Sequence, residues 1–139
     1  MEKRIREVIL IDDDHVLNKV NTWIFRKLGF SHEITSLGNG DEALLYVSEI
    51  YNSIKISTKQ EKHILILLDL NMPIMTGWEF IEKFKSFDES FKNLFKIIIL
   101  TSSYNPDDIE LSNQYEEIVG FENKPLSLEG LKVIMERYF

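Results

Sequence analysis

The sequence contains no cysteine and only three histidines among its 139 residues. Without thiols there is no disulfide framework and no thiolate metal site, and His15, His32 and His63 are too scattered for a zinc spacing. No apolar run approaches the roughly 20 residues that a membrane-spanning helix needs. The opening "MEKRIREVILIDDD" follows its charges with an apolar stretch too brief for a secretory core. These absences read as a cytoplasmic protein without a membrane partner. Basic residues are also in the minority, with 16 Lys and Arg against 23 Asp and Glu and a net charge of −7. No basic stripe is available to neutralise phosphates, which argues against direct nucleic-acid binding and makes another protein the expected recipient of any output.

What is present suits a globular domain: 44% hydrophobic and 28% charged residues, in a length that one core can organise. Residues 1–139 are therefore expected to form a single domain with no attached effector. Short apolar runs recur at 8–11, 33–37, 64–68, 97–100 and 118–121, and three of them are apolar throughout, as parallel strands covered on both faces are. Between them lie helical spacings: Val16, Val20, Ile24 and Leu28; Ala43, Leu44 and Val47; Phe80, Ile81 and Phe84. Beyond Pro125, Leu128, Leu131, Met135 and Tyr138 repeat at three and four. A weaker helix is expected from Pro106 to about Tyr115, capped by Asn105 but short of apolar anchors, which makes it the element most easily moved. This alternation predicts an α/β fold: a doubly wound five-stranded parallel sheet with helices on both faces. The polar segment 51–63 exceeds the usual connection and is expected to extend the second helix or form a surface loop.

Ligands of doubly wound sheets bind beyond the carboxyl ends of the strands. Here the strand ends carry polar residues. The first strand runs into Asp12, Asp13 and Asp14, the third into Asp69, the fourth into Thr101, Ser102 and Ser103, and the fifth into Asn123 and Lys124. With neighbouring strands in register, Asp12, Asp13 and Asp69 converge. Two unit charges about 4 Å apart repel by roughly 4 kcal/mol at an effective dielectric of about 20. A hard divalent cation relieves that conflict, and Mg²⁺ or Mn²⁺ suits oxygen ligands. Lys124 and Thr101 at the same rim suggest an arriving anion, most simply a phosphoryl group, for which an Asp carboxylate can be the nucleophile. Taken singly, Asp14 reads as a helix cap, Thr101 as a strand residue and Lys124 as a surface charge. Their placement at successive strand ends favours a common site.

These segments resemble the receiver domain of two-component response regulators over essentially the whole chain. "ILIDDD" is similar to the family's acidic pair, "LLDLNMPIMTGWEF" to its phosphoacceptor strand and loop, "IIILTSS" to its hydroxyl-bearing strand, and "FENKP" to its Lys-Pro. The resemblance implies a flavodoxin-like strand order of 2-1-3-4-5. It implies that Asp69 is phosphorylated, that Asp12, Asp13, Asp69 and the main-chain carbonyl of Asn71 hold Mg²⁺, and that Thr101 and Lys124 contact the acyl phosphate. The phosphoryl donor would be a sensor histidine kinase or a histidine phosphotransfer protein. Such a receiver promotes its own phosphorylation and dephosphorylation rather than turning over a substrate. The family's switch couples Thr101 to an aromatic on the fifth strand, here Phe121 rather than the commoner Tyr, and presents the fourth helix, fifth strand and fifth helix to a downstream target protein. Pro73 would shape the loop after Asp69, and Gly77 would supply positive φ or close backbone approach. Trp78 reads as a packing residue, and a cis bond is expected between Lys124 and Pro125.

Two other readings stay open at this level. "DDDHV" also fits the D-x-D-x-V pattern of haloacid dehalogenase-like phosphohydrolases, with Asp12 as nucleophile and Asp14 as general acid. That reading leaves Asp69 unexplained and offers only Glu129 and Glu136 beyond Lys124 as later metal ligands. The other is a binding module of the same fold that is never phosphorylated, although such modules usually lose an acidic residue or the Lys, and all are present here.

Overall fold

In a computed structural model, which describes residues 4–54, 62–102 and 105–139, the apolar runs form a five-stranded sheet in the order β2-β1-β3-β4-β5 with every pairing parallel. The chain order is β1 (Ile5–Ile11), α1 (His15–Lys27), β2 (Glu33–Leu37), α2 (Gly40–Ser53), β3 (His63–Leu68), α3 (Gly77–Phe84), α4 (Glu89–Lys92), β4 (Phe95–Thr101), α5 (Pro106–Ser112), β5 (Ile118–Asn123) and α6 (Leu128–Tyr138). The doubly wound order expected from the alternation is therefore the one observed.

Strand side chains alternate between two cores, which is why the central strands read as unbroken apolar runs. Ile9, Ile11, Ile64, Ile66, Leu68, Ile97 and Ile99 face one side with Ala43 and Val47 of α2 and Phe80, Ile81 and Phe84 of α3. Val8, Leu10, Leu65, Leu67, Ile98 and Leu100 face the other with Ile24 and Phe25 of α1 and Leu131 and Ile134 of α6. At the amino ends of the strands Phe84, Phe87, Phe91 and Phe95 form a ring cluster closed by Tyr51, with centroids 5.0–6.0 Å apart, and the Tyr51 hydroxyl donates to Asp88 at 2.7 Å.

The structure corrects one expected boundary and adds two features. In α1, Val16 and Val20 point outward, 72% and 46% exposed, while Asn18 and Asn21 are buried with Ile24 and Phe25. A strict four-residue spacing advances about 40° per step around a helix of 3.6 residues per turn, so a stripe through 16, 20, 24 and 28 cannot stay on one face. Only its C-terminal half reaches the core. The helix expected to reach Tyr115 ends at Ser112, its only buried residue, and Asn105 caps it by accepting from the Asp107 N–H at 2.9 Å. An unforeseen single turn, α4, is anchored by the buried Phe91. The polar segment extends α2 as far as Ser53, and the rest of that expectation, at 55–61, lies outside the described residues. Among the described residues no helix is long and apolar enough to cross a membrane.

One polar network lies within the sheet's α2 side. Glu7 of β1 stands in register with Glu33 of β2, and Tyr46 of α2 donates its hydroxyl to the Glu7 carboxylate while Thr35 donates to Tyr46 at 3.2 Å. Burial raises the Glu7 pKa above its ordinary 4.5, the Tyr46 hydrogen bond opposes this and Glu33 adds to it. Tyr46 is pushed up to about 12 by its own burial and by the carboxylate it serves. Because the folded-state pKa of Glu7 is the higher, its contribution is fully present below the unfolded value and is lost as pH rises through the folded value. Glu7→Gln is therefore expected to be more stable than wild type at about pH 7, with the difference closing towards about pH 4. Urea denaturation across that range checks it.

Candidate functional site

The sheet register brings the polar strand ends together. Ile11 of β1 pairs with Leu68 of β3, so Asp12 and Asp69 leave adjacent strands side by side. The ladder continues one residue further, with the Asp69 N–H donating to the Ile11 carbonyl at 2.9 Å and the Asp12 N–H to that of Leu37 at 3.1 Å. On the far side Thr101 pairs with Asn123, and the Lys124 N–H donates to the Thr101 carbonyl at 2.8 Å. Lys124 can thus reach back across two strands: its Nζ lies 2.6 Å from Asp12 Oδ2 and 3.4 Å from Asp69 Oδ1. Both carboxylates are only 6% exposed.

Asp12 is held by its surroundings. The Asp14 N–H donates to its Oδ1 and the Asn18 side-chain amide to its main-chain carbonyl, each at 2.9 Å. Asp14 itself caps α1, its carboxylate accepting from the Leu17 N–H at 3.0 Å. Burial raises the Asp69 pKa and the charge of Asp12 raises it further, against the opposing pull of Lys124 and the Asn71 N–H. For Lys124, burial pushes the pKa down, but hydrogen bonding to Asp12 and the charges of both carboxylates outweigh it, and the pKa is raised. The ammonium is the compensation that two buried carboxylates require.

Oxygen atoms of Asp12, Asp13 and Asp69 lie within 4.8 Å of one another, with Asp13 exposed at the mouth. Octahedral coordination at about 2.1 Å places opposite ligands about 4 Å apart, so three carboxylate oxygens in this span fit a small hard cation with water completing its shell. Asn71 follows Asp69 by two residues, with its N–H 3.4 Å from Asp69 Oδ1. Thr101 is fully buried at the end of β4. Phe121 of β5 stands opposite Ile99 and packs half-buried against the core on the face that Thr101 shares. The Lys124–Pro125 bond is cis. Ser103 lies outside the described residues.

The loop after Asp69 turns sharply. The Met75 N–H donates to the Pro73 carbonyl at 2.8 Å, closing a γ-turn centred on Ile74, whose φ is +72° and whose side chain is 82% exposed. A β-branched residue at positive φ is strained, and nothing in "NMPIMTG" marks Ile74 as its seat. Gly77 provides close approach instead: a Cβ there would sit 2.6 Å from the Asp69 carbonyl oxygen and 2.9 Å from Leu70 Cα. Sequence reading also missed Asn18 as a support of Asp12, and the polar contact of Trp78, whose indole N–H donates to Asp108 at 3.2 Å.

Comparison with known proteins agrees with this geometry. The family described as "Response regulator receiver domain" matches residues 8–136. The chain is similar to a two-component response regulator crystal structure from Cytophaga hutchinsonii, at 31% identity and a TM-score of 0.81, covering 96% of each chain. It is 29% identical to a probable chemotaxis protein CheY of Rhizobium etli, covering 96% of this chain and 92% of that one. It is 24% identical to sporulation initiation phosphotransferase F of Bacillus subtilis, covering 95% and 92%. A dehalogenase-like assignment finds no support: Asp14, its would-be general acid, has its carboxylate engaged as a helix cap.

Gly77→Ala is expected to lose about 1–3 kcal/mol of stability, since the added methyl meets main chain that cannot yield. Gly40→Ala should also lose stability, because its methyl meets the buried Met75 side chain from Cβ to Sδ at 2.7–2.9 Å. Denaturant midpoints of the two variants provide the comparison.

Proposed function

The chain belongs to the response regulator receiver domain family, and from that premise we propose that Asp69 accepts a phosphoryl group from a phosphohistidine on a sensor histidine kinase or histidine phosphotransfer protein. The observation that carries this reading is the Lys124 ammonium lying within 3.4 Å of two buried carboxylates at the carboxyl end of the sheet. Such a centre is poised to exchange one anion for another.

In the proposed step an Asp69 carboxylate oxygen attacks phosphorus in line with the imidazole nitrogen. The O–P bond forms as the N–P bond breaks, and the imidazole departs with the electron pair. The protein's task is positioning and charge neutralisation. Lys124 shifts from the carboxylates onto a phosphoryl oxygen, and the Thr101 hydroxyl, brought to the same rim by β4, donates to another. Asp12, Asp13, Asp69 and the Asn71 carbonyl would hold Mg²⁺ or Mn²⁺, which when bound supplies positive charge for the phosphoryl oxygens. Small acyl phosphates can serve as donors in the same geometry, so the chain promotes its own phosphorylation and, with water as acceptor, its own dephosphorylation. Drawing Thr101 towards the phosphoryl group frees space for Phe121, and α5, β5 and α6 form the surface read by a target protein.

The donor needs a surface next to Asp69. Val16, Val20 and Trp23 form an exposed apolar stripe on α1, 72%, 46% and 60% exposed, beginning two residues after the Asp14 cap. A protein seated on this stripe can present its imidazole to the acidic mouth. Its contiguity with Asp13 supports the phosphohistidine donor as occupant.

Incubation with Mg²⁺ and acetyl phosphate followed by intact mass tests the chemistry. One acid-stable, base-labile phosphoryl adduct is expected, absent in Asp69→Asn; an adduct that survives Asp69→Asn defeats the assignment. For the docking stripe, Trp23→Ala is expected to slow transfer from a phosphorylated histidine phosphotransfer protein about tenfold or more relative to its labelling by acetyl phosphate. Equal slowing with both donors would remove α1 from the donor interface.

A further inference from the structure

The helix α5 has one buried residue, Ser112, and little apolar surface with which to seat itself. Its polar fastening comes from α3. The Trp78 indole N–H donates to Asp108 in the first turns of α5 at 3.2 Å, and the Trp78 ring stacks on Tyr115 with centroids 5.8 Å apart and planes 24° apart. Tyr115, just past the end of α5, donates its hydroxyl to Glu82 of α3 at 2.5 Å, and Lys85 places its ammonium 5.0 Å from the Tyr115 ring centre. Trp78, Glu82 and Lys85 stand four and three residues apart, so a single face of α3 makes all these contacts.

Both ends of this fastening originate at the candidate phosphorylation site. Trp78 follows Gly77, which has no room for a Cβ against the Asp69 carbonyl, and the Gly77 N–H donates to Leu70 at 3.0 Å. The start of α3 therefore rides on the backbone of Asp69. Asp108, for its part, follows Thr101 by seven residues in the chain, of which 103 and 104 lie outside the described residues. One path from the site reaches α5 along the chain from Thr101, and another reaches it through space from Gly77 and Trp78. A displacement of Thr101 towards Asp69 would pull on the first path while Gly77 ties Trp78 to the Asp69 backbone, and the indole hydrogen bond is the contact on which that strain would fall.

We propose that the Trp78–Asp108 hydrogen bond, with the Tyr115 stack beneath it, is a latch that holds α5 against α3 in the arrangement where Lys124 bridges Asp12 and Asp69, and that phosphorylation of Asp69 releases it. Trp78 is thus a positioning residue acting through α5 and does not touch the reacting atoms. It supplies the polar restraint on the moving face that Phe121, lacking a phenolic hydroxyl, cannot provide. The inference rests on the receiver reading above. By linkage, whatever phosphorylation must break also opposes phosphorylation, so removing the latch favours the phosphorylated form to the same degree.

The test uses the full chain with Mg²⁺ and beryllofluoride, a stable mimic of the acyl phosphate, with affinity measured by calorimetry and amide exchange followed over 106–112. Trp78→Phe, which keeps a ring but loses the N–H, and Asp108→Ala, which loses the acceptor, are each expected to bind beryllofluoride about fivefold or more tightly than wild type. Their α5 amides, without ligand, should exchange as those of beryllofluoride-loaded wild type do. The double variant should gain no more than the larger single effect, because both changes remove one bond. Asp108→Asn, which keeps an acceptor oxygen, should return towards wild-type affinity. Should Trp78→Phe fail to fold, Asp108→Ala on the surface of α5 carries the comparison alone. Wild-type affinity or weaker binding in the folded variants overturns the latch while leaving the receiver reading intact. Wild type that neither binds beryllofluoride nor forms the Asp69 adduct overturns both.

Discussion

The contact between the Lys124 ammonium and the carboxylates of Asp12 and Asp69 is the constraint to which the rest of the structure answers. Two buried carboxylates are tolerable only with a cation close by. That cation arrives from β5, two strands from Asp69 on β3 and three from Asp12 on β1, and so the site depends on β1, β3, β4 and β5 holding register to their last residues. The ladder bonds that run one residue beyond the strands, at Asp12, Asp69 and Lys124, are the means by which it does. Rigid parallel strands fix the chemistry, and the loops that leave them differ in how far they are tied down.

The order of the elements was legible because its basis is local: unbroken apolar strands can only be interior, and amphipathic segments between them must cross over. Asp12, Asp69, Thr101 and Lys124 were legible as a group for the same reason, since each ends a run that has to be a strand. Which side of a helix faces inward was harder. In α1 the apolar spacing runs through Val16 and Val20 and marks the helix, yet the Asp14 cap and the bond from Asn18 to the Asp12 carbonyl accompany a rotation that buries asparagines and exposes those valines. Ile74 shows a different limit. Its positive φ is imposed by the loop between Asp69 and Gly77, and an isoleucine carries no local preference for it. The one-turn α4 and the position of Tyr115 were likewise decided by distant partners, Phe91 in the ring cluster and Trp78 on α3.

A thinly anchored α5 is consistent with the sequence, which places Asp and Glu where neighbouring helices place apolar residues. Low burial makes an element responsive because little packing must be broken to shift it. Specific polar contacts then help decide where it rests, and among the described residues those of Asp108 in α5 and of Tyr115 just beyond it reach α3.

The aromatic cluster of Tyr51, Phe84, Phe87, Phe91 and Phe95 lies at the opposite end of the strands from the carboxylates. Adhesion and chemistry are thereby segregated along one axis of the molecule. Inherited changes among those rings would alter how much protein a cell accumulates while sparing what each surviving copy does, whereas changes at the acidic end disturb the site and its charge balance together. Lineages can accordingly remodel the aromatic pole without renegotiating the acidic one.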